Sequence, residues 1–244
     1  MKSSSEHVPV DKSPMRVFVS VPDGAGPFPG VVVIQHQGGV DEFTEDMTRR
    51  LASAGYVAAA PDLYHRDGPD CKDDRKVRRS RLRDATVIKD VNAAADFLKA
   101  HPSVAGSPLG IIGFCMGGRV AYMMAAAGPS FKAAVAYYGG GIMNAWGDGP
   151  SAFERTREIH CPLLGHFGED DGNPSPEDMR KLDAELAKYG ITHEFHSYPG
   201  AAHAFMNRFE ESYRPRADEA SWPRTLDFFG RYLRKETKQA AAAG

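Results

Sequence analysis

Cysteine is scarce in this 244-residue sequence, which holds only Cys71, Cys115 and Cys161. An odd, sparse set without C-x-x-C spacing argues against a disulfide framework and against a structural zinc site. Charge of one sign is not in excess either: 30 basic residues stand against 32 acidic ones, a formal net charge of -2. That balance points to no nucleic-acid surface and no anionic-membrane binder. No apolar run approaches the roughly 20 residues of a membrane span. The opening MKSSSEHVPV has no apolar h-region and does not read as a signal peptide, so a cytoplasmic protein is expected. Internal repeats and a convincing linker are also missing, so residues 1–244 are expected to form one α/β domain. Its ends, residues 1–14 and 235–244, read as loose termini, the first as an arm or an edge element.

What is present is a regular alternation of strands and helices. Apolar residues make up 42% of the chain, enough for a sizeable core. Met15–Pro22 alternates as a half-buried strand does, whereas Gly30–Gln35 is a continuous β-branched run suited to burial on both faces. Tyr56–Ala60, Leu109–Phe114, Ala133–Tyr138, Pro162–Phe167 and His193–Tyr198 read as further strands. Helical patterns cover Glu42–Gly55, Asp84–Ala100, Met116–Ala127, Pro176–Tyr189 and Arg216–Arg234. Strands separated by such helices predict a mostly parallel sheet with helices on both faces, a three-layer α/β fold. Ligands bind at the carboxyl ends of the strands in sheets of this kind. Leu63–Arg83 has no clear strand, and its basic cluster Arg75–Arg83 reads as a solvated helix face or loop.

Gly113-Phe114-Cys115-Met116-Gly117 lies between a predicted strand and a predicted helix and fits G-x-S-x-G with cysteine in place of serine. A sharp strand-to-helix turn needs neighbours without bulk on either side of the nucleophile. It also aims the first amides of the helix at the thiol, which favours thiolate. A base and its orienting acid are expected downstream, in that fold's order of nucleophile, acid, histidine. Gly168-Glu169-Asp170-Asp171-Gly172 and Pro199-Gly200-Ala201-Ala202-His203 follow two predicted strands and supply them. Cys115, His203 and either Asp171 or Asp170 therefore form a candidate triad. The backbone N–H groups of Met116 and of Gln37, in the loop Gln35-His36-Gln37-Gly38-Gly39, are the candidate oxyanion donors. His160, His166, His193 and His196 lack metal-ligand spacing with carboxylates and are expected to be structural.

These motifs make the sequence similar to the dienelactone hydrolase (carboxymethylenebutenolidase) family of the α/β-hydrolase superfamily. The resemblance runs from about Pro27 to Phe229. It rests on Gly113-Phe114-Cys115-Met116-Gly117-Gly118, Pro61-Asp62-Leu63-Tyr64, Tyr137-Tyr138-Gly139, Gly168-Glu169-Asp170-Asp171 and Gly200-Ala201-Ala202-His203-Ala204-Phe205. It implies an α/β-hydrolase fold, Cys115 as nucleophile, His203 as base and Asp171 as its orienter. It also implies hydrolysis of a small ester or lactone, with no metal or organic cofactor. Acyl transfer, thioester hydrolysis or a non-catalytic ligand-binding role would be compatible with the same fold. Two positions depart from the family. His36 stands where a thiol-activating glutamate is usual, and could contact Cys115 or brace its loop. Asn207 replaces a carboxylate-binding arginine, with Arg208 one residue on. Tyr138 and Arg208 are, with His36, the candidate substrate-binding or thiol-tuning residues, and Arg75, Arg78, Arg79, Arg81 and Arg83 are equivalent candidates for a second carboxylate partner.

Overall fold

Gly30–Ile34 (β3) and Leu109–Phe114 (β5) run side by side in parallel, Gly30 opposite Leu109 and Ile34 opposite Gly113. Both are buried along their whole length, as their unbroken apolar runs require of a strand covered on two faces. The structure, a computed structural model, describes residues 1–68 and 70–234; the expected loose end from Lys235 to Gly244 lies outside them.

Around this pair the described residues form an eight-stranded sheet with the order β1-β2-β4-β3-β5-β6-β7-β8. The other strands are Lys2–Val10 (β1), Ser13–Val21 (β2), Val57–Pro61 (β4), Phe131–Tyr137 (β6), Leu163–Gly168 (β7) and His193–Tyr198 (β8). From β4 to β8 every neighbouring pair is parallel, whereas β1 and β2 are antiparallel to their neighbours. The helices are Glu42–Ser53 (α1), Arg75–Ser80 (α2), Asp84–Ala100 (α3), Met116–Ala127 (α4), Pro176–Lys188 (α5) and Pro215–Leu233 (α6).

Alternation along the central strands separates two cores. Val32, Ile34 and Ile111 face α3, α4 and α5 with Val91, Val120 and Leu182. Val31, Val33 and Ile112 face α1 and α6 with Met47, Leu51, Phe228 and Phe229. Each buried side chain of this size contributes roughly 1.5–3 kcal/mol relative to exposure. Helix starts follow local chemistry: at α5 the Ser175 hydroxyl accepts the Asp178 N–H while the Asp178 carboxylate accepts the Ser175 N–H, a capping box with Pro176 in the first turn. His166 is fully buried, its two ring nitrogens 2.8 Å from Tyr198 Oη and 3.1 Å from Thr225 Oγ1. It serves this core network.

Of the two readings of the first residues, an arm or an edge element, the structure shows the second, an edge strand. Lys2–Val10 pairs with β2 over nine residues, Lys2 opposite Val21 through Val10 opposite Ser13. Lys2–His7 are exposed on both faces, while Val8 and Val10 meet the core, so backbone pairing holds most of the strand. The polar region before Asp84 contains a further helix, α2, capped by the Asp74 carboxylate accepting the Lys76 N–H. Among the described residues no helix is long and apolar enough to cross a membrane.

Candidate active site

Strand β5 ends at Phe114 and helix α4 begins at Met116, so Cys115 alone makes the turn, with φ 58° and ψ -121°. A non-glycine residue held there costs about 1–3 kcal/mol, which the surroundings must offset. The flanking glycines are a steric necessity. A Cβ on Gly113 would sit 1.9 Å from the Gly117 carbonyl oxygen, and one on Gly117 would sit 2.4 Å from the Ile34 carbonyl oxygen. The Cys115 N–H donates to the Tyr137 carbonyl at 3.1 Å, fastening the turn to β6. Two other residues with positive φ, Tyr138 and Ala204, also line the cavity at Cys115. Backbone strain gathers here.

The loops after β7 and β8 meet above the sheet. A Cβ on Gly168 would lie 2.3 Å from the Ala201 carbonyl oxygen, and the Asp170 N–H donates to that same oxygen at 3.0 Å. This contact turns Asp171 inward, 6% exposed, and leaves Asp170 exposed. Asp171 Oδ1 accepts the Asn173 N–H at 2.8 Å, and Oδ2 lies 2.8 Å from His203 Nδ1. With Nδ1–H donated to the carboxylate, Nε2 is left for the thiol. The Tyr138 ring meets the imidazole edge-on, 5.1 Å between centroids, and fixes its plane.

The electrostatics favour charge separation. Burial pushes the Cys115 thiol up, but hydrogen bonding and charge from His203, with the N–H groups of Met116 and Gln37, bring it below its ordinary value. Burial pushes His203 down, but Asp171 and the Cys115 sulfur outweigh it and raise the imidazole to about 10. The two groups stabilise each other as thiolate and imidazolium.

These side chains line a cavity of about 220 Å³ together with His36, Gln37 and Arg75. It is smaller than the roughly 300–1,000 Å³ of drug-sized pockets, and so suits a small ligand. His36 Nε2 is 2.6 Å from Asp41 Oδ2; of the two roles expected for it, this is the bracing one. Tyr138 is 1% exposed, and among the described residues its hydroxyl meets no side-chain hydrogen-bond partner. Arg208 was expected among the substrate-binding or thiol-tuning residues. Its guanidinium pairs with Asp46 on α1, and it is not among the described residues that line this cavity. Asn207 itself lines the cavity.

Among the basic cluster, Arg75 is the cation that reaches this cavity, a choice no pattern in the sequence makes. Tyr64, part of the quoted Pro61-Asp62-Leu63-Tyr64 motif, is a second contributor whose role the pattern did not reveal. Its hydroxyl donates to the Gln37 carbonyl at 3.1 Å and reaches Met116 Sδ at 3.5 Å, tying the two loops that carry the N–H donors. Among the described residues no group of three His, Cys, Asp or Glu side chains is placed to hold a metal.

The dienelactone hydrolase family profile matches residues 15–233, further at both ends than the motifs alone indicated. A Methylorubrum extorquens protein provisionally assigned as a carboxymethylenebutenolidase is 33% identical over 236 residues, 92% of this chain and 79% of the relative. A Bradyrhizobium protein provisionally assigned as a 2-oxo-3-(5-oxofuran-2-ylidene)propanoate lactonase is 30% identical, covering 88% of this chain and 89% of its own. The crystal structure of a provisionally assigned dienelactone hydrolase from Klebsiella pneumoniae superposes with a TM-score of 0.88 at 32% identity, over 95% of this chain and 99% of that one. On its sheet order, its elbow and these matches, the chain belongs to the dienelactone hydrolase family and has the α/β-hydrolase fold.

Proposed function

We propose that the protein hydrolyses a small ester or lactone through a Cys115–His203–Asp171 triad and a thioester intermediate. The observation that carries this is geometric: Cys115 at the strand-to-helix turn lines one cavity with His203, whose ring has Asp171 2.8 Å behind it, and the directions in which Cys115 and His203 shift agree with it. Family membership supports the hydrolytic class.

The Cys115 thiolate attacks the carbonyl carbon, and the carbonyl electron pair moves onto oxygen, where the N–H groups of Gln37 and Met116 stabilise it. Such a donor is typically worth about 3 kcal/mol in the transition state. Collapse expels the ester oxygen, which takes the proton of the His203 imidazolium, and the acyl group is left as a thioester on Cys115. Neutral His203 then removes a proton from water as the hydroxide adds to the thioester carbonyl. Collapse expels the thiolate and releases the acid, restoring the starting ion pair. Asp171 holds the ring in the needed tautomer throughout. Tyr138 lines the cavity, and its phenolic O–H donates to the substrate there.

Arg75 is the group that would receive a substrate carboxylate. It lines the cavity and has no carboxylate within ion-pair distance among the described residues. The Bradyrhizobium relative is named for a lactone that carries a propanoate, which agrees with such a role.

The test is burst kinetics with an aryl ester on wild type, Cys115→Ala and His203→Ala. Each variant is expected to lose on the order of 10³-fold or more in kcat, and intact mass should reveal one acyl group on Cys115 when His203 is replaced. If both variants keep most of their activity and Cys115 is never acylated, the triad is wrong.

A further inference from the structure

Six cationic side chains lie between positions 75 and 83, and the fold sorts them into three sets. Arg78 and Arg81 are neutralised: Arg78 Nε is 3.0 Å from Asp67, and Arg81 pairs with Asp67 and Asp73. Arg83 bonds the carbonyls of Ser80 and Leu82 at 2.8 and 2.9 Å. Arg75, Lys76 and Arg79 have no carboxylate within 4.0 Å among the described residues. Arg75 turns to the cavity at Cys115, whereas Lys76 and Arg79 turn to a second, larger one of about 740 Å³.

This outer cavity has Lys76, Arg79 and Arg83 on one side and Trp146 and Asp148 on the other, and Gln37 lines both cavities. The two therefore adjoin at the residue whose N–H faces the Cys115 sulfur. Three cations against one carboxylate give the outer cavity a positive field. Its far wall is anchored in the protein interior. The fully buried Arg119 pairs with Asp84 at 2.6 Å, donates to the Asn144 carbonyl at 2.7 Å and lays its guanidinium 4.0 Å over the Trp146 ring. Asp84 also accepts the Trp146 N–H at 2.9 Å. A wall held this way keeps its shape when empty, which lowers the ordering cost of binding.

We propose that the outer cavity is a second specificity subsite, which takes an anionic group carried by the substrate several bonds from its scissile carbonyl. Lys76 and Arg79 are the ion-pair partners and Trp146 packs against the connecting arm. This is separate from the inner position of Arg75, and it rests on the hydrolytic reading above. The substrates so selected are esters or lactones with a carboxylate, sulfonate or phosphate at the end of an arm, on the acyl side or the leaving side.

The experiment compares p-nitrophenyl hexanoate with the p-nitrophenyl monoester of adipic acid, equal in length and differing in the terminal carboxylate. A second pair, 3-(4-acetoxyphenyl)propionate and its methyl ester, puts the charge on the leaving side. Wild type is expected to prefer the charged member of at least one pair through KM, with the preference shrinking as sodium chloride screens the cations. In the Lys76→Gln/Arg79→Gln double variant that preference should fall about tenfold, since partly exposed ion pairs are worth up to several-fold each. A preference that survives the double substitution, or that is missing in both pairs, overturns the subsite. If wild type hydrolyses none of the esters, the hydrolytic reading has failed instead. The subsite is then decided by calorimetric titration of adipate into Cys115→Ala protein: binding weakened about tenfold by the double substitution supports it, and equal or undetectable binding overturns it.

Discussion

His36 Nε2 stands 2.6 Å from one oxygen of Asp41, and the other oxygen of that carboxylate accepts the Thr44 N–H at 3.1 Å to cap α1. One carboxylate thus joins the start of a helix to the loop that presents Gln37. The ring also fills the space under the turn, since a Cβ on Gly38 would come within 2.6 Å of it. Asp41→Ala removes the cap and the histidine's partner together and should lower unfolding free energy by about 1–2 kcal/mol in urea titrations. His36→Ala leaves the cap but frees Gln37, so kcat should fall by less than the 10²–10³-fold expected for loss of an oxyanion donor. A fall as large as that of Cys115→Ala would instead make His36 a base.

Asp170 and Asp171 are adjacent in the chain and opposite in placement. Asp171→Asn is expected to reduce kcat by about 10⁴-fold by favouring the wrong imidazole tautomer. Asp170→Asn, at an exposed position, should stay within about twofold of wild type. Parallel ester assays of the two variants decide which carboxylate orients His203.

Because Cys115 is shifted below its ordinary value of 9.0 by His203 and two N–H groups against burial, its thiolate should persist to lower pH than in a free cysteine. Rates of iodoacetamide alkylation in a Cys71→Ser background, followed from pH 5 to 10, should show an inflection below that of free cysteine. His203→Ala leaves burial as the dominant influence and should move the inflection above it. The histidine carries the opposite sign. Its value rises from 6.5 to about 10, so its stabilisation is complete below 6.5 and is lost as pH climbs through about 10. The melting difference between wild type and His203→Ala should narrow over that alkaline range.

Arg119 and Asp84 form a buried pair, with Arg119 fully inaccessible. Replacing one partner strands the other charge, and Arg119→Met or Asp84→Leu should each cost about 3–5 kcal/mol. The double variant should cost clearly less than the sum. Urea unfolding of the four proteins in a double-mutant cycle gives the coupling.

Much of the architecture was legible because both of its signals are local. Apolar runs such as Val31–Ile34 and Ile111–Ile112 demand cover on two faces, and the glycines around Cys115 demand a tight turn. Strand β1 was legible only as an arm or an edge element, because Lys2–His7 are exposed on both faces and their pairing with β2 is a backbone interaction that leaves no apolar period. The six cations from 75 to 83 carry one chemistry in the sequence. Only Asp67 and Asp73, brought beside Arg78 and Arg81, separate neutralised groups from those that face a cavity.

By itself the sequence determined the order of the strands and helices from Met15 onward apart from α2, the elbow at Cys115 and the strand ends from which an acid and a histidine could reach it. Periodicity and the steric demands of a turn act over a few residues, so they are written where they act. The tertiary structure decided which of two aspartates meets His203, that His36 pairs with Asp41, that Arg208 pairs with Asp46 and that Arg75 lines the cavity. Those choices depend on distances across the fold, and a direction in space is set by the packing of distant elements rather than by neighbours in the chain.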